Sequence, residues 1–360
     1  MVTIKMRLLI TLFCSFFCIA SYAAFSLPAP QALHVGQATA QPNTPSYLLP
    51  FTQNPTVQAY IRDMHHQYGF SVSELTTLFS KATVQDRVLP HITHPFETQT
   101  WDIYRPHFVT PQRLDQGLTF WQTYAPVLQS AAKQYGVPPE VIVALLGVET
   151  NYGSNTGGFR TLDTLATLAF YYPPRATFFR QELTAFLLMA RETHHDPLSF
   201  NGSYAGAIGI PQFMPSSYRR FAATYPPRHM HANEGPNLMM VEDTIMSVAN
   251  YLHQCGWQTE EPIAHPAWIA KAIPVTELST ARHMQYTALS TLRTRGIYPY
   301  SRKHNANLRG TLIRLPLSAA KYEYWIAFPN FGVLLSYNTS PLYAMAVYQL
   351  SAALRYAHNG

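Results

Sequence analysis

The segment 138–154 constrains this chain more than any other. Pro138-Pro139-Glu140 opens it. Proline suits a first helical position, where its missing N–H costs nothing, and an acid there meets the positive end of the helix dipole. Val141, Ala144, Leu145 and Val148 then recur at helical spacing as one apolar stripe. Glu149 follows directly, and Asn151-Tyr152-Gly153-Ser154 ends the helix. The pattern therefore puts one acid at the C-terminal end of an apolar helix. There the negative end of the dipole disfavours a carboxylate, and apolar neighbours penalise its charge. Both effects push its pKa upward. A carboxyl held protonated near neutral pH is what a general acid needs. The bland alternative is a Glu on the exposed side of a helix end, bonded to the loop after it.

Helical spacing dominates elsewhere too. Val57, Ile61, Met64 and Tyr68 mark a first helix, and a second runs to about Lys81. Ser71-Val72-Ser73-Glu74 has capping-box spacing ahead of it. Leu114, Leu118, Trp121, Leu128 and Ala132 mark helix over 111–135, which Pro126 kinks or splits. Further helices are expected over Ala176–Glu192, Thr244–Gln254 and Pro341–Tyr356. The stretch 272–336 differs. Thr311–Leu317 and Tyr322–Phe328 are short β-prone runs, and Gly332–Ser336 offers a third strand.

The chain begins like an exported protein. Lys5 and Arg7 precede an apolar run through Ala20, and Ser21-Tyr22-Ala23 supplies small residues at a cleavage site. The run is shorter than the roughly 20 residues that span a bilayer, so a cleaved signal peptide over 1–23 is expected rather than an integral membrane span. Cys14 and Cys18 lie inside it, but Phe13 and Phe17 stand where a lipoprotein signal wants small residues, so no lipid anchor is predicted. The mature chain keeps only Cys255, which makes no internal disulfide and is expected to be free and buried. Cleavage lowers the formal charge from +6 to +4. That mild balance suits an anionic polymer, and the dispersed Lys and Arg residues disfavour nucleic acid. About 335 mature residues exceed one typical core, so two or three packed units are expected. Residues 24–55, rich in Pro, Gln, Thr and Ala, read as a flexible leader.

Several motifs, in order along the chain, carry a family resemblance. Gly147-Val148-Glu149-Thr150-Asn151-Tyr152-Gly153 resembles the catalytic motif of the lytic murein transglycosylase B family. Trp101 to Pro111, Tyr135 to Glu140, Gly202 to Ala207 and Gln212 to Tyr218 resemble its other signatures. So do Ser247 to Tyr251, Tyr337-Asn338 and Tyr343 to Val347. The resemblance runs from about residue 56 to the end. It implies a mainly α fold: a lysozyme-like helical core over 126–271, an N-terminal helical domain over 56–125, and a small β-containing insert over 272–336. A C-terminal helix over 337–360 then returns to the core. It also implies one catalytic acid, Glu149, acting on the glycan strands of peptidoglycan. Glu149 would protonate the oxygen between MurNAc and GlcNAc, and its carboxylate would then take the proton of the sugar's C6 hydroxyl. The product is a 1,6-anhydro-MurNAc end, and no water is consumed.

Other positions carry over one at a time. The resemblance makes Tyr104, Tyr251 and Tyr343 groove aromatics, and Ser203 and Gln212 polar groove residues. It places Tyr337 and Asn338 near the acid, and makes Arg175 a partner for peptide-stem carboxylates. A neighbouring arginine of the family pattern is here Pro174. Some members carry a calcium loop where this chain has residues 222–243, but the alternating acids are missing and only Asp243 remains. No metal is therefore expected there, and His229 and His231 lack a third ligand. No cofactor is implied, protein partners cannot be read, and a monomer is the default. Two other functions compete. A lysozyme-type muramidase would need a second carboxylate, for which Asp163, Glu182 and Glu192 are the nearest downstream acids. A non-catalytic wall-binding protein would not need Glu149 at all.

Overall fold

Phe51 is where the chain joins the core. It is buried against Phe79, Phe170 and Tyr171, and the Tyr171 hydroxyl donates to the Leu49 carbonyl. Residues 51–55, which composition assigned to a leader, thus belong to the folded core, because one buried aromatic outweighs its polar surroundings. The computed structural model describes residues 49–93, 96–225, 235–270, 284–300, 307–318 and 321–360. The expected signal peptide, most of the leader and the His229–His231 pair lie outside them.

Helix α1 (Pro55–Tyr68) is capped by Asn54, whose side chain accepts from the Thr56 N–H. Ser71 caps α2 (Val72–Ser80) by accepting from the Glu74 N–H, as the capping-box spacing predicts. Then come α3 (Val88–Thr93), a 3-10 turn over Phe96–Thr98, and α4 (Trp101–Phe108). The expected split at Pro126 is real: α5 (Pro111–Thr123) and α6 (Ala125–Tyr135) part at Tyr124, with Pro126 in the first turn of α6.

Helix α7 (Pro139–Thr150) is the axis of the molecule. The sequence suggests one apolar stripe, but every residue from Val141 to Thr150 is buried. Helices α5, α6, α11 (Val241–Gln254) and α14 (Pro341–Asn359) pack around it. A helix apolar on all sides belongs in the middle of a bundle. Its end is sharp. Asn151 and Tyr152 adopt left-handed φ values of 50° and 59°, which turn the Tyr152 ring back between α5 and α7. A Cβ at Gly147 would lie 2.6 Å from the Tyr152 hydroxyl, so glycine there makes room for the turn that ends the helix. The Tyr152 hydroxyl donates to the Arg113 carbonyl at 2.8 Å, and the Arg113 guanidinium donates to the Asn151 side chain.

A second layer consists of α8 (Thr161–Tyr171), α9 (Ala176–Glu192) and α10 (Pro215–Phe221). Helix α8 packs on α9, and α9 on α10. Strands β1 (Phe159–Arg160) and β2 (Asn201–Gly202) pair antiparallel before a tight loop through residue 213.

The β-containing insert is an antiparallel sheet in the order β4-β6-β7-β3-β5. Its strands are β3 (Ala264–Ile269), β4 (Thr287–Ala288), β5 (Ile297–Pro299), β6 (Arg309–Pro316) and β7 (Tyr322–Ala327), with α12 (Leu289–Thr294) after β4. The sheet begins before residue 272, at Ala264. The third strand expected over Gly332–Ser336 is instead part of α13 (Pro329–Tyr337). Pro329 starts that helix at a position where its ring fits, and Phe331, Leu334 and Leu335 are buried at helical spacing.

Candidate active site

Glu149 stands one residue from the end of α7 and is only 2% exposed. Both conditions that the sequence sets for a perturbed acid, a helix C-terminus and apolar surroundings, hold around it. Its Oε1 accepts a short hydrogen bond from the Tyr343 hydroxyl. Tyr343 lies in the first turn of α14. Its N–H donates to Oγ of the capping residue Ser340, and the Ser340 N–H donates to Asn338 Oδ1 at 3.0 Å. The α13–α14 corner therefore sets Asn338, Ser340 and Tyr343 as one hydrogen-bonded unit beside the acid.

Aromatic rings back this unit. The Tyr337 ring is parallel to Tyr343, with centroids 6.4 Å apart, and its hydroxyl donates to the Pro211 carbonyl. Tyr251 packs 4.7 Å from Tyr337, and its hydroxyl donates to the Ser336 carbonyl. Both are buried and brace the corner through these bonds. Tyr104 on α4 is also buried, against Phe96, Trp101 and Phe108. Burial pushes its phenol well above the ordinary value, and the nearby carboxyls of Glu97 and Glu149 push it further.

Gln212 and Ser203 hold the loop that faces this corner. Gln212 Nε2 donates to the Thr156 and Gly209 carbonyls, and its φ is 52°. Ser203 Oγ accepts from the Ala205 and Ala207 N–H groups. The loop is tied to α7 by Thr150, whose hydroxyl donates to the Ile210 carbonyl at 2.9 Å and accepts from the Gly153 N–H. Thr150 is thus part of the scaffold, a role that its place in the motif alone does not disclose. Arg175 stands further out. Its guanidinium lies over the Phe178 and Phe179 rings, 4.5 and 5.0 Å from their centroids. Burial pulls its pKa down, against the phenols of Tyr172 and Tyr204 and the carboxylate of Glu182. It is half-buried on aromatic rings, not a solvated arginine.

The three downstream acids are engaged elsewhere. Asp163 pairs with Arg160 at 2.8 Å and accepts from the Thr83 N–H and the Gln85 amide. Glu182 accepts from the N–H and hydroxyl of Ser216. Glu192 pairs with Arg219 near the surface. An upstream acid that no motif marks is closer to the site. Glu97, on the turn before α4, places its carboxyl near Tyr104 and Asn338. The residue is part-buried as a whole, and its Oε2 is buried. Burial raises its pKa to about 7, against its own backbone N–H and the Asn338 amide.

Among the described residues no group of three or more His, Cys, Asp or Glu side chains could hold a metal ion. Asp243 instead accepts from the Tyr225 N–H at 3.0 Å and the Asn237 N–H at 2.9 Å. Among the described residues Cys255 forms no disulfide, and it is partly buried. No described helix is long and apolar enough to cross a membrane.

Comparison with known proteins agrees with this geometry. Residues 52–352 match the transglycosylase SLT domain. The chain is 38% identical over 318 residues to the membrane-bound lytic murein transglycosylase B of Escherichia coli, covering 85% of this chain and 84% of that protein. The crystal structure of the soluble lytic transglycosylase SltB1 from Pseudomonas aeruginosa superposes with a TM-score of 0.76 at 41% identity, over 85% of this chain and 100% of that one. The Escherichia coli lytic transglycosylase Slt35 in complex with bulgecin A gives 0.75 at 38% identity, over 86% and 96%. A lysozyme-like helical core, an acid at the end of its central helix and a family match over residues 52–352 lead to one conclusion: the chain belongs to the transglycosylase SLT family, as a lytic murein transglycosylase.

Proposed function

We propose that this lytic murein transglycosylase cleaves the MurNAc-(β1,4)-GlcNAc bond with Glu149 as its one acid and base. The carboxyl gives its proton to the glycosidic oxygen, and the bond from that oxygen to C1 of MurNAc breaks. The carboxylate left behind takes the proton of the C6 hydroxyl as that oxygen bonds to C1. Glu149 is protonated again, and the products are a free GlcNAc hydroxyl and a 1,6-anhydro-MurNAc end. The observation that carries this reading is the contact between buried Glu149 and the Tyr343 hydroxyl, which fixes the acid's orientation. A second carboxylate to activate water is not needed for internal attack, whereas ordinary glycosidases use two.

The remaining assignments follow from position. Tyr343 orients the acid. Tyr104, Asn338 and the walls made by Tyr337 and Tyr251 place the sugar beside it. Gln212 and Ser203 serve its N-acetyl and hydroxyl groups. Arg175 meets a lactyl or peptide-stem carboxylate, and Pro174 weakens that recognition. Residues 1–23 export the chain to the periplasm, where peptidoglycan lies. The units are an N-terminal helical part over 56–125, a core over 126–271 completed by 337–360, and the insert between them.

Glu149→Gln keeps the side chain's shape but loses its proton transfer. It should still bind sacculi yet release no soluble muropeptides. Mass spectrometry of the wild-type digest should show anhydro ends. Products heavier by one water, or release by the variant at the wild-type rate, would overturn the assignment.

A further inference from the structure

Two polar atoms near the acid are buried and have no hydrogen-bond partner: Glu97 Oε2 and Asn338 Nδ2. The orientation of the Asn338 amide is not arbitrary, because its Oδ1 accepts from the Ser340 N–H at 3.0 Å. That bond assigns oxygen to one side of the amide and leaves Nδ2 on the other. The Asn338 amide is also the side chain that favours the ionised form of Glu97, so donor and acceptor are neighbours. A buried donor and a buried acceptor left without partners are each destabilising. A bond between the two atoms would satisfy both. Tyr104 lies close enough to both Glu97 and Glu149 to feel each charge.

We infer that Glu97 is a positioning residue for this reaction: its carboxyl receives Asn338 Nδ2 and holds that amide, through the Ser340 corner, in the orientation that serves the sugar beside Glu149. Asn338 Oδ1 on Ser340 and Nδ2 on Glu97 together lock both ends of the amide. The same corner carries Tyr343, so an amide free to turn would also loosen the cap that places the Glu149 partner. The inference rests on Glu149 being the acid of this site.

The test is a double-mutant cycle on the full chain, read as the rate of anhydro-muropeptide release against sacculus concentration. Glu97→Met fills the volume without an acceptor. It should lower the apparent kcat at least about tenfold and change the apparent KM less than about threefold. Glu97→Gln keeps a carbonyl oxygen and should restore the rate to within about threefold of wild type. In an Asn338→Ala background, Glu97→Met should cost less than about threefold, because the residue through which it acts is gone. An unchanged kcat in Glu97→Met, or an equal loss in both backgrounds, would overturn the inference. Should Glu97→Met melt below the assay temperature, the cycle is run below its melting point with the same thresholds, and a loss above about tenfold with Glu97→Gln also rejects the acceptor role. Glu149→Gln is measured alongside. If it is active, the reading of the whole site fails; if it is inactive while the cycle is additive, only Glu97 is misassigned.

Discussion

At the scale of single residues, the site turns on two carboxyls treated differently by their surroundings. Glu149 accepts from a phenol, which favours its ionised form. Removing that donor with Tyr343→Phe should lower the rate of muropeptide release by about tenfold, because the acid loses the partner that fixes its orientation. An unchanged rate would mean that Tyr343 does not act on the acid. Glu97 carries the clearer stability signature. Its pKa rises from 4.5 unfolded to about 7 folded, chiefly by burial. A raised acid contributes stability that is complete below the unfolded value and lost as pH rises through the folded one. The chain should therefore lose up to about 3 kcal/mol between pH 4.5 and 7 on this account, less as solvent reaches its stem. Thermal melts of wild type and Glu97→Gln should converge near pH 4.5 and separate near pH 8, with the variant the more stable. Parallel curves would remove Glu97 as the source.

At the scale of elements, the described ends of the segment before α11 are tied to that helix by its own side chains. Asp243 is buried and receives backbone N–H groups from both sides of that segment, Tyr225 and Asn237. Ser247 joins the same edge by exchanging hydrogen bonds with the backbone of Ala223. Hydrogen bonds to a charged acceptor contribute about 1.5–3 kcal/mol each, so Asp243→Ala should cost about 3–5 kcal/mol in denaturant unfolding. Calcium or a chelator should leave the wild-type transition where it is; a calcium-dependent rise would point to a site elsewhere in the segment. Elements of this kind were unevenly legible in the sequence. Helix α9 starts and stops where its periodicity says, since Phe179, Leu183, Phe186 and Leu187 mark one buried face. Helix α7 was legible in place but not in surroundings: burial on every side depends on partners from four other helices. The run Gly332–Ser336 is short and apolar, a pattern that a buried helix and a strand share. The place of Glu149 at a buried helix end could be read because the apolar stripe and the Asn-Tyr-Gly stop lie next to it in sequence. Glu97 could not, because its meaning comes from Asn338 at the far end of the chain, and no local pattern encodes that meeting.

At the scale of the whole molecule, the two faces of the sheet decide how the insert is coupled to the site. Along β6 and β7 the side chains alternate. Ile313, Leu315, Trp325 and Ala327 join the large core that contains α7, while Leu312 and Ile326 join a small cluster with Ala267, Leu289, Leu292, Ile297 and Phe328. Phe328 belongs to that small cluster and caps α13, which leads directly to Tyr337 and Asn338. The insert can thus open on its outer side while its inner face stays part of the catalytic body. Truncations in the two clusters should behave differently. Leu145→Ala in α7 leaves a cavity at the centre and should lower global stability by about 3–5 kcal/mol, with every region unfolding together. Leu292→Ala in α12 removes comparable apolar volume from the small cluster, so its cost should appear as local opening. Hydrogen exchange should then quicken in β4, β5 and α12, with α7 and α14 still protected and glycan cleavage close to the wild-type rate. Equal acceleration in α7 would show that the two clusters unfold as one unit, and would place the insert within the cooperative core that carries Glu149.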